Sequence, residues 1–466
     1  MASRHSIVGL PTELIQHILS FLPDATSLLS MILTCPSVYN AFIKVEVLIT
    51  SQVVRNLVGP EVLPEAVAAL TSSLLAPWER ESMQTFVDDQ LLSRQEPPRS
   101  WTLSKALALN HLHYHVEYFA LSFGSHALAK LLAAGDVNDM LARSPTPSEL
   151  HRIQRVLYRF EIYCNLFRGR KPAVFDIDEH RGVFFSKFAP WENEQLGCIS
   201  DYLAHNVSPA FNEIADHDVA WGSAGIEDAF DLDSRRIQHT LSLGLAYLYK
   251  IVVAETYNER YKLLYNLYPK YLVDGFLYEG LSLANEPADA LELAEYDQDD
   301  EKEFDRRYSP FVRELDLGPI QAWRWAHQHE TRATFVYASP QSALREQGYV
   351  FWDLSRLEAW PAFQSPWEPP DTTAADNERI SYRASLAMRD KCIRRAQIYG
   401  LGGRGWWSPD DESKVVYPPG VSAPERKTGI GKTSQKAAED FQHRVANGIE
   451  RPAWQNWVPR APTGHR

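Results

Sequence analysis

The 466-residue chain contains little cysteine and no long apolar run. Its four cysteines (Cys35, Cys164, Cys198 and Cys392) lie too far apart for a disulfide framework or a set of zinc ligands. No stretch reaches about 18 consecutive apolar residues, and residues 1–9 have no apolar core, so the sequence predicts neither a membrane span nor a secretory signal. We therefore expect a soluble protein of the cytoplasm or nucleus with reduced thiols, and no membrane partner.

An excess of basic residues is also missing. Lysine and arginine number 47 against 60 acidic residues, which gives a formal net charge of −13 at pH 7. Binding to phosphate backbones needs basic faces, so the composition argues against a nucleic-acid partner. We find no internal repeat of fixed period, which disfavours leucine-rich and propeller domains. The length predicts two or three domains.

Residues 1–58 form the first predicted domain, a unit of three short helices. The first helix opens at Leu10-Pro11-Thr12-Glu13, where the missing N–H of proline costs nothing. Pro23 ends this helix, Asp24 can cap the second, and Cys35-Pro36-Ser37 separates the second from the third. Three such helices cannot bury all their apolar side chains among themselves. The unit must therefore pack on the rest of the chain or bind a partner.

Residues 59–360 form the second predicted domain, which is helical. Long helices are predicted for Ser104–Leu132, for Ser148–Arg168 with Ser148 as its N-cap, and for Asp233–Tyr268, whose apolar spacing is the most regular. The run Glu286–Asp305 contains ten acidic residues and one lysine. Like charges repel and resist packing, so we interpret this run as a solvated loop or helix face.

Residues 361–466 form the third segment, which holds eleven of the 29 prolines and five of the 13 tryptophans. One helix is predicted, Asn377–Tyr399, ended by Gly400 and the Gly402-Gly403 pair. The remainder is expected to be irregular, loop-dominated and partly ordered. The chain as a whole is therefore predicted to be mainly α-helical.

Several motifs suggest chemistry, but each has a simpler interpretation. Gly429–Thr433 resembles the end of a phosphate-binding loop, yet it lacks the required upstream glycine and buried strand. His111, His113 and His115 invite a metal hypothesis, but their apolar flanks favour a helix on which only the first and last would align. The pairs Asp176/Asp178 and His217/Asp218 stand alone, as aspartates at turns and helix starts do. We assign no catalytic, cofactor-binding or metal-ligating residue and expect no cofactor.

The two basic clusters are Arg168-Gly169-Arg170-Lys171 and Arg394-Arg395. Both are interpreted as solvated helix ends, where cations interact favourably with the helix dipole.

The N-terminal unit resembles an F-box. Its sequence carries Leu10-Pro11-Thr12-Glu13-Leu14, then Ile18–Leu22, Ser27-Leu28-Leu29 and Leu33-Thr34-Cys35, in the order found in fungal F-box proteins that open with Leu-Pro-x-Glu-Leu. The match covers about 40 residues, under a tenth of the chain. Many F-boxes carry a tryptophan after the cysteine block, and Val38–Phe42 stands there in this sequence.

The resemblance implies a non-catalytic adaptor. F-box proteins dock through these helices onto the Skp subunit of a Skp–cullin–F-box ubiquitin ligase, and the rest of the chain captures a protein substrate for ubiquitination. The identity of that substrate cannot be read from the sequence. By carry-over, the residues expected to bind the Skp subunit are Leu10, Pro11, Leu14, Ile18, Leu19, Leu22, Leu28, Leu29 and Leu33.

Three alternatives stay open. The N-terminal helices could simply cap the helical body, in which case their apolar faces would be hidden. The chain could be a helical enzyme with a site near His111, His115, Asp176 and Asp178. It could also be an F-box protein that binds the Skp subunit without a cullin. Exposure of the first helix distinguishes the adaptor from the cap.

Overall fold

The computed structural model is mainly α-helical, as the sequence predicts, and its described residues contain isolated β-bridges but no β-strand. The structure describes residues 7–92, 100–133, 144–168, 173–224, 235–265, 276–284, 291–308, 310–311, 314–330, 342–368 and 386–424. Within these ranges, no helix combines the length and apolar character needed to cross a membrane. The chain forms two compact units, one of Met1–Ala210 with Ala229–Pro369 and one of Phe211–Asp228 with Pro370–Arg466. The predicted boundaries at residues 58 and 360 stay predictions.

The described residues form twenty α-helices. In chain order they are α1 (Thr12–Ser20), α2 (Ala25–Ile32), α3 (Pro36–Ile43), α4 (Glu46–Val58), α5 (Leu63–Ser73), α6 (Arg80–Phe86), α7 (Leu103–Ala133), α8 (Pro147–Phe167), α9 (His180–Val183), α10 (Pro190–His217), α11 (Val219–Ser223), α12 (Arg235–Leu241), α13 (Leu245–Val253), α14 (Tyr257–Tyr265), α15 (Leu277–Leu283), α16 (Gln298–Arg307), α17 (Gly318–His327), α18 (Ser342–Glu346), α19 (Leu354–Glu358) and α20 (Leu386–Gly400).

Helices α7 and α8 are the framework of the first unit. They pack against each other, α5 packs on both, and α2 and α4 pack on α7. The predicted spans are confirmed, but the predicted cap Ser148 is wrong. Thr146 is the N-cap of α8, because its hydroxyl accepts the Glu149 N–H while the Glu149 carboxylate accepts the Thr146 N–H at 2.7 Å.

The prediction of a single continuous helix over Asp233–Tyr268 is wrong. The described part of that span contains α12, α13 and α14. Gly244 has φ +83°, a left-handed conformation that suits glycine and interrupts the helix. The Glu161 carboxylate of α8 then accepts the N–H of Leu245 at 2.9 Å, so a tertiary contact fixes the start of α13. The apolar spacing in the sequence continues across this break, so it does not show that the helix is interrupted. The contact between Glu161 and Leu245 shows where α13 begins.

The described part of the acidic run, residues 291–305, begins with a short turn and continues into α16. The Asp297 carboxylate caps α16 by accepting the N–H groups of Asp299 and Asp300. Phe304 is buried, while Asp299 and Glu303 lie on the exposed side and pair with Lys302 and Arg306. The interpretation as a largely solvated helix face is confirmed for these residues.

In the second unit, α20 packs on α11. The helix ends at Gly400, and Gly402 follows with φ +87°, in agreement with the predicted C-terminal glycines. Ile398, Trp407 and Val219 share a small buried cluster. The predicted start at Asn377, the Gly429–Thr433 motif and the last two tryptophans lie outside the described residues.

The interpretation of Arg394-Arg395 as a solvated helix end is wrong. Arg395 is fully buried, donates to the backbone oxygen of Ala215, and its guanidinium carbon lies 5.5 Å from the centre of the Trp407 ring. Arg394 pairs with the Glu412 carboxylate through two hydrogen bonds of 2.9 and 2.7 Å. Both arginines face the interior of their own unit because backbone and carboxylate acceptors from distant residues lie there.

Candidate interaction surface

Helix α1 has apolar residues both on the side that faces the core and on the side that faces solvent. Pro11 precedes the first turn in an extended conformation, which starts the helix at Thr12. Ile15 and Leu19 point inward and are buried. Leu14 and Ile18 remain 49% and 40% exposed. Alternation of this kind leaves an apolar stripe on the surface that the helix does not need for its own packing.

We define the outer face of α1 as the exposed residues Leu10, Leu14, Ile18 and Phe21. They follow at spacings of four, four and three along the sequence, and Phe21 is 70% exposed. Leu14 and Ile18, four residues apart within α1, share one side of the helix, while Leu10 precedes its first turn and Phe21 directly follows its end. The ring of His17 lies edge-on to Phe21 with centroids 4.7 Å apart, so a polar group borders the stripe.

The outer face is supported by a compact apolar core. Buried side chains from α1, α2, α3 and α4 form one cluster. Two amide side chains fix α1 within it: Gln16 Nε2 donates to the Ala41 oxygen at 2.9 Å, and Asn56 Nδ2 donates to the oxygens of Ser20 and Leu22 at 2.9 Å each. These bonds hold the end of α1 against α3 and α4, so the outer face is presented by a braced helix.

Another side of the same helices packs on the framework of the first unit. The Ala25 N–H donates to Asn110 Oδ1 of α7 at 3.0 Å, at the start of α2. The Leu103 N–H donates to the Glu46 carboxylate of α4 at 2.9 Å. The N-terminal helices therefore pack on the rest of the unit through α2 and α4, while the outer face of α1 stays uncovered.

The nine residues predicted to bind a partner divide into three groups. Leu19 and Leu28 are fully buried in the cluster and present no surface. Leu22 and Leu29 are half-buried and pack against the cluster. The exposed members are Leu10, Pro11, Leu14, Ile18 and Leu33. The last group offers the most surface to a partner, and the fully buried Leu19 and Leu28 offer none.

The sequence analysis did not assign several exposed apolar residues to the site. Phe21 continues the spacing of Leu14 and Ile18, so helical periodicity contained the signal for it. No comparable signal marked the others, because their exposure depends on how α3 and α4 turn against α1. These residues are Tyr39, Ile43, Val47 and Leu48.

The histidines of α7 have ordinary packing partners. His111 and His115 lie on one side, as the helix prediction required, with ring centroids 4.8 Å apart. The His113 ring nitrogen Nδ1 lies 2.8 Å from the hydroxyl of Tyr158, and burial lowers the pKa of His113 to about 4. In the described part of the chain, no group of three or more histidine, cysteine or acidic residues is arranged to hold a metal ion.

Asp176 lies at the start of a short turn and Asp218 at the start of a helix, as predicted. Asp176 precedes a short turn in which the Glu179 carboxylate accepts the Asp176 N–H at 2.8 Å. The Asp218 carboxylate accepts the N–H of Trp221 at 2.8 Å and caps α11. Among the described residues, no hydrogen bond or ion pair joins His111 or His115 to the Asp176 turn.

The two buried cysteines are poor nucleophiles. Burial raises the pKa of the Cys164 thiol and of the Cys198 thiol well above their ordinary value. Because the thiolate is the reactive form, both side chains behave as small apolar groups at neutral pH. All four cysteines have free thiols.

Comparisons of the chain with protein-family models, with curated proteins and with solved structures found no match.

Proposed function

We propose that the protein is a substrate-recognition adaptor of a Skp–cullin–F-box ubiquitin ligase. In this proposal residues 1–58 are the F-box, which docks on the Skp subunit, and residues 59–360 recruit a protein substrate. The single observation that supports it most is the exposure of the outer face of α1. A helix that only capped the body would hide this apolar stripe, whereas an adaptor must keep it free.

Physical reasoning is consistent with docking at this face. A standard protein interface buries roughly 800 Å² on each partner, and a few central anchors contribute most of the binding free energy. Leu14, Ile18 and Phe21 provide adjacent apolar anchors, and the hydrogen bonds of Gln16 and Asn56 hold their helix in place. An ordered helix loses little conformational entropy on binding, which favours affinity.

The missing tryptophan of the F-box pattern is compatible with this proposal. Phe42 is the buried aromatic residue of the corresponding stretch, and it belongs to the core that joins α1, α2, α3 and α4. An aromatic side chain therefore fills the interior at the third helix. In the proposed role the chain performs no covalent step and acts by holding the substrate close to the ligase.

The test is co-purification of the full chain with a Skp subunit, comparing wild type with Leu14→Ala/Ile18→Ala/Phe21→Ala. Truncation of interface anchors typically costs several kcal/mol, which is enough to abolish recovery of a micromolar complex. A matched control is Leu121→Ala/Leu283→Ala, since these leucines are 49% and 45% exposed on α7 and α15. Circular dichroism must show that both variants retain the wild-type helical signal.

The results separate the possible roles. Recovery with wild type and control, but not with the triple variant, supports docking through the outer face. Recovery of the Skp subunit without any cullin favours an F-box protein that acts outside the ligase. If wild type recovers no Skp subunit, the adaptor proposal is wrong, and the helices would be a structural cap.

A further inference from the structure

A cleft of about 270 Å³ lies between α7 and α10 and is bordered by α18, away from the outer face of α1. One wall carries His126 and Lys130 of α7, and the opposite wall carries Tyr202 and His205 of α10. Both walls are regular helices, on which residues four apart share a side. The position of these side chains is therefore set by the helix framework itself.

The fixed charges that line the cleft are balanced. Arg345 is fully buried, and its Nε lies 2.6 Å from a carboxylate oxygen of Asp201. At the rim, Lys130 Nζ lies 3.3 Å from a carboxylate oxygen of Glu346. Behind Arg345, burial raises the pKa of Glu194, which favours the neutral form of that carboxyl. Each carboxylate of the lining therefore already has a cation beside it.

Several groups of the lining can donate a hydrogen bond. Tyr202 is more than nine-tenths buried, and its hydroxyl lies close to Ser122 and Asn206 but makes no hydrogen bond of normal geometry. His126 and His205 are exposed at the opening and can each donate. A buried hydroxyl that lacks a well-formed hydrogen bond is costly, so the Tyr202 hydroxyl favours a ligand that supplies an acceptor.

From this arrangement we infer that the cleft binds a small molecule through an oxyanion, a phosphate or carboxylate group placed between Lys130, Tyr202 and His205. Lys130 can turn from Glu346 to such a ligand because an exposed ion pair is worth little. A cationic ligand would find fewer groups in the lining, because the buried Arg345 holds the Asp201 carboxylate and only the Glu346 carboxylate is released when Lys130 turns. The volume admits a molecule of several non-hydrogen atoms. This inference does not depend on the proposed adaptor role.

The test is isothermal titration of the full chain with inorganic phosphate, phenyl phosphate and benzoate, at constant ionic strength set with sodium chloride. Tight binding of inorganic phosphate would show that a free phosphate ion is enough to occupy the cleft. Preference for phenyl phosphate or for benzoate identifies an organic phosphate or an organic carboxylate as the source of the oxyanion. Saturable one-to-one binding of at least one probe at millimolar concentration or below is the expected result.

Two variants locate the site. Lys130→Gln removes a charged donor, and Tyr202→Phe removes only the buried hydroxyl, so each should weaken binding about tenfold. Lys250→Gln is the matched control, since Lys250 is an exposed lysine on α13 that does not line the cleft. Its effect should stay below about twofold.

Three results would overturn the inference. The first is no saturable binding of any probe to wild type. The second is unchanged binding by both Lys130→Gln and Tyr202→Phe while their melting temperatures match wild type. The third is an equal loss in Lys250→Gln, which would show only general attraction of anions to lysines.

Discussion

The N-terminal helices and the surroundings of α8 are held together by different forces. The core of α1 to α4 is apolar, and its buried members are aliphatic side chains and Phe42. Around α8, three arginines are nearly or fully buried: Arg152, Arg155 and Arg159. Arg159 Nη2 lies 3.0 Å from Glu65 Oε1 and 2.9 Å from Glu192 Oε1.

This difference predicts how each region responds to substitution. Apolar cores tolerate swaps that conserve volume, because dispersion and burial are not directional. A buried ion cluster has no such tolerance, because a lost partner leaves a charge without compensation. The first region can keep its outer face free for binding without loss of core packing. The second specifies one arrangement of α5, α8 and α10.

The largest expected effect comes from breaking the ion cluster. Arg159→Met would leave the carboxylates of Glu65 and Glu192 in an apolar pocket beside Phe188 and Phe311. We expect the free energy of unfolding to fall by about 3–5 kcal/mol. Urea unfolding at pH 7 followed by circular dichroism measures this change.

Ile32→Leu in the N-terminal core is the matched control, with an expected cost below about 1.5 kcal/mol. The double variant Arg159→Met/Glu65→Gln should recover part of the loss, since it removes one of the uncompensated charges. Equal costs for Arg159→Met and Ile32→Leu would remove the distinction between the two regions.

An intermediate effect is expected on acidification. His113 and His180 lie 2.8 and 2.7 Å from the hydroxyls of Tyr158 and Tyr163 on α8, and burial lowers the pKa of each histidine to about 4. The native state therefore favours neutral imidazole. The stabilisation is complete above the unfolded pKa of about 6.5 and is lost as the pH falls from there toward 4.

At pH 5 the protonation of each of these histidines should have lowered the free energy of unfolding by on the order of 2 kcal/mol. Between pH 7 and pH 5, hydrogen exchange corrected for intrinsic rates should show a greater loss of protection in α8 than in α3. The N-terminal helices, described from residue 12 to 58, contain only the exposed His17. Uniform loss of protection in α3 and α8 would contradict this local account.

The smallest expected effect is at the cap of α2. Asp24 accepts the N–H of Ser27 at 2.8 Å, and Asp24→Ala should cost about 1 kcal/mol of unfolding free energy. Asp24→Asn retains an acceptor and should cost only a few tenths. Thermal melts of the three proteins distinguish these values. A cost for Asp24→Asn as large as that for Asp24→Ala would show that the charge, rather than the cap, stabilises the helix.

Local sequence determined much of the helical structure. Apolar periodicity predicted α7 and α8, Asp24 was predicted to cap α2, and the glycines after α20 ended that helix where expected. These features depend on neighbours within about four residues, so they can be read without knowledge of the fold.

Contacts between distant residues decided the rest. The break at Gly244 follows from a carboxylate on α8, and the burial of Arg395 from backbone oxygens about 180 positions earlier in the chain. Likewise, periodicity could not tell that Leu19 is buried while Ile18 is exposed, because both are apolar neighbours on one helix. Local sequence patterns predict most of the helices in the described residues, but not the break between α12 and α13. Which apolar side chains face the core depends on the helices packed around them, so this follows from the folded structure and not from one helix alone.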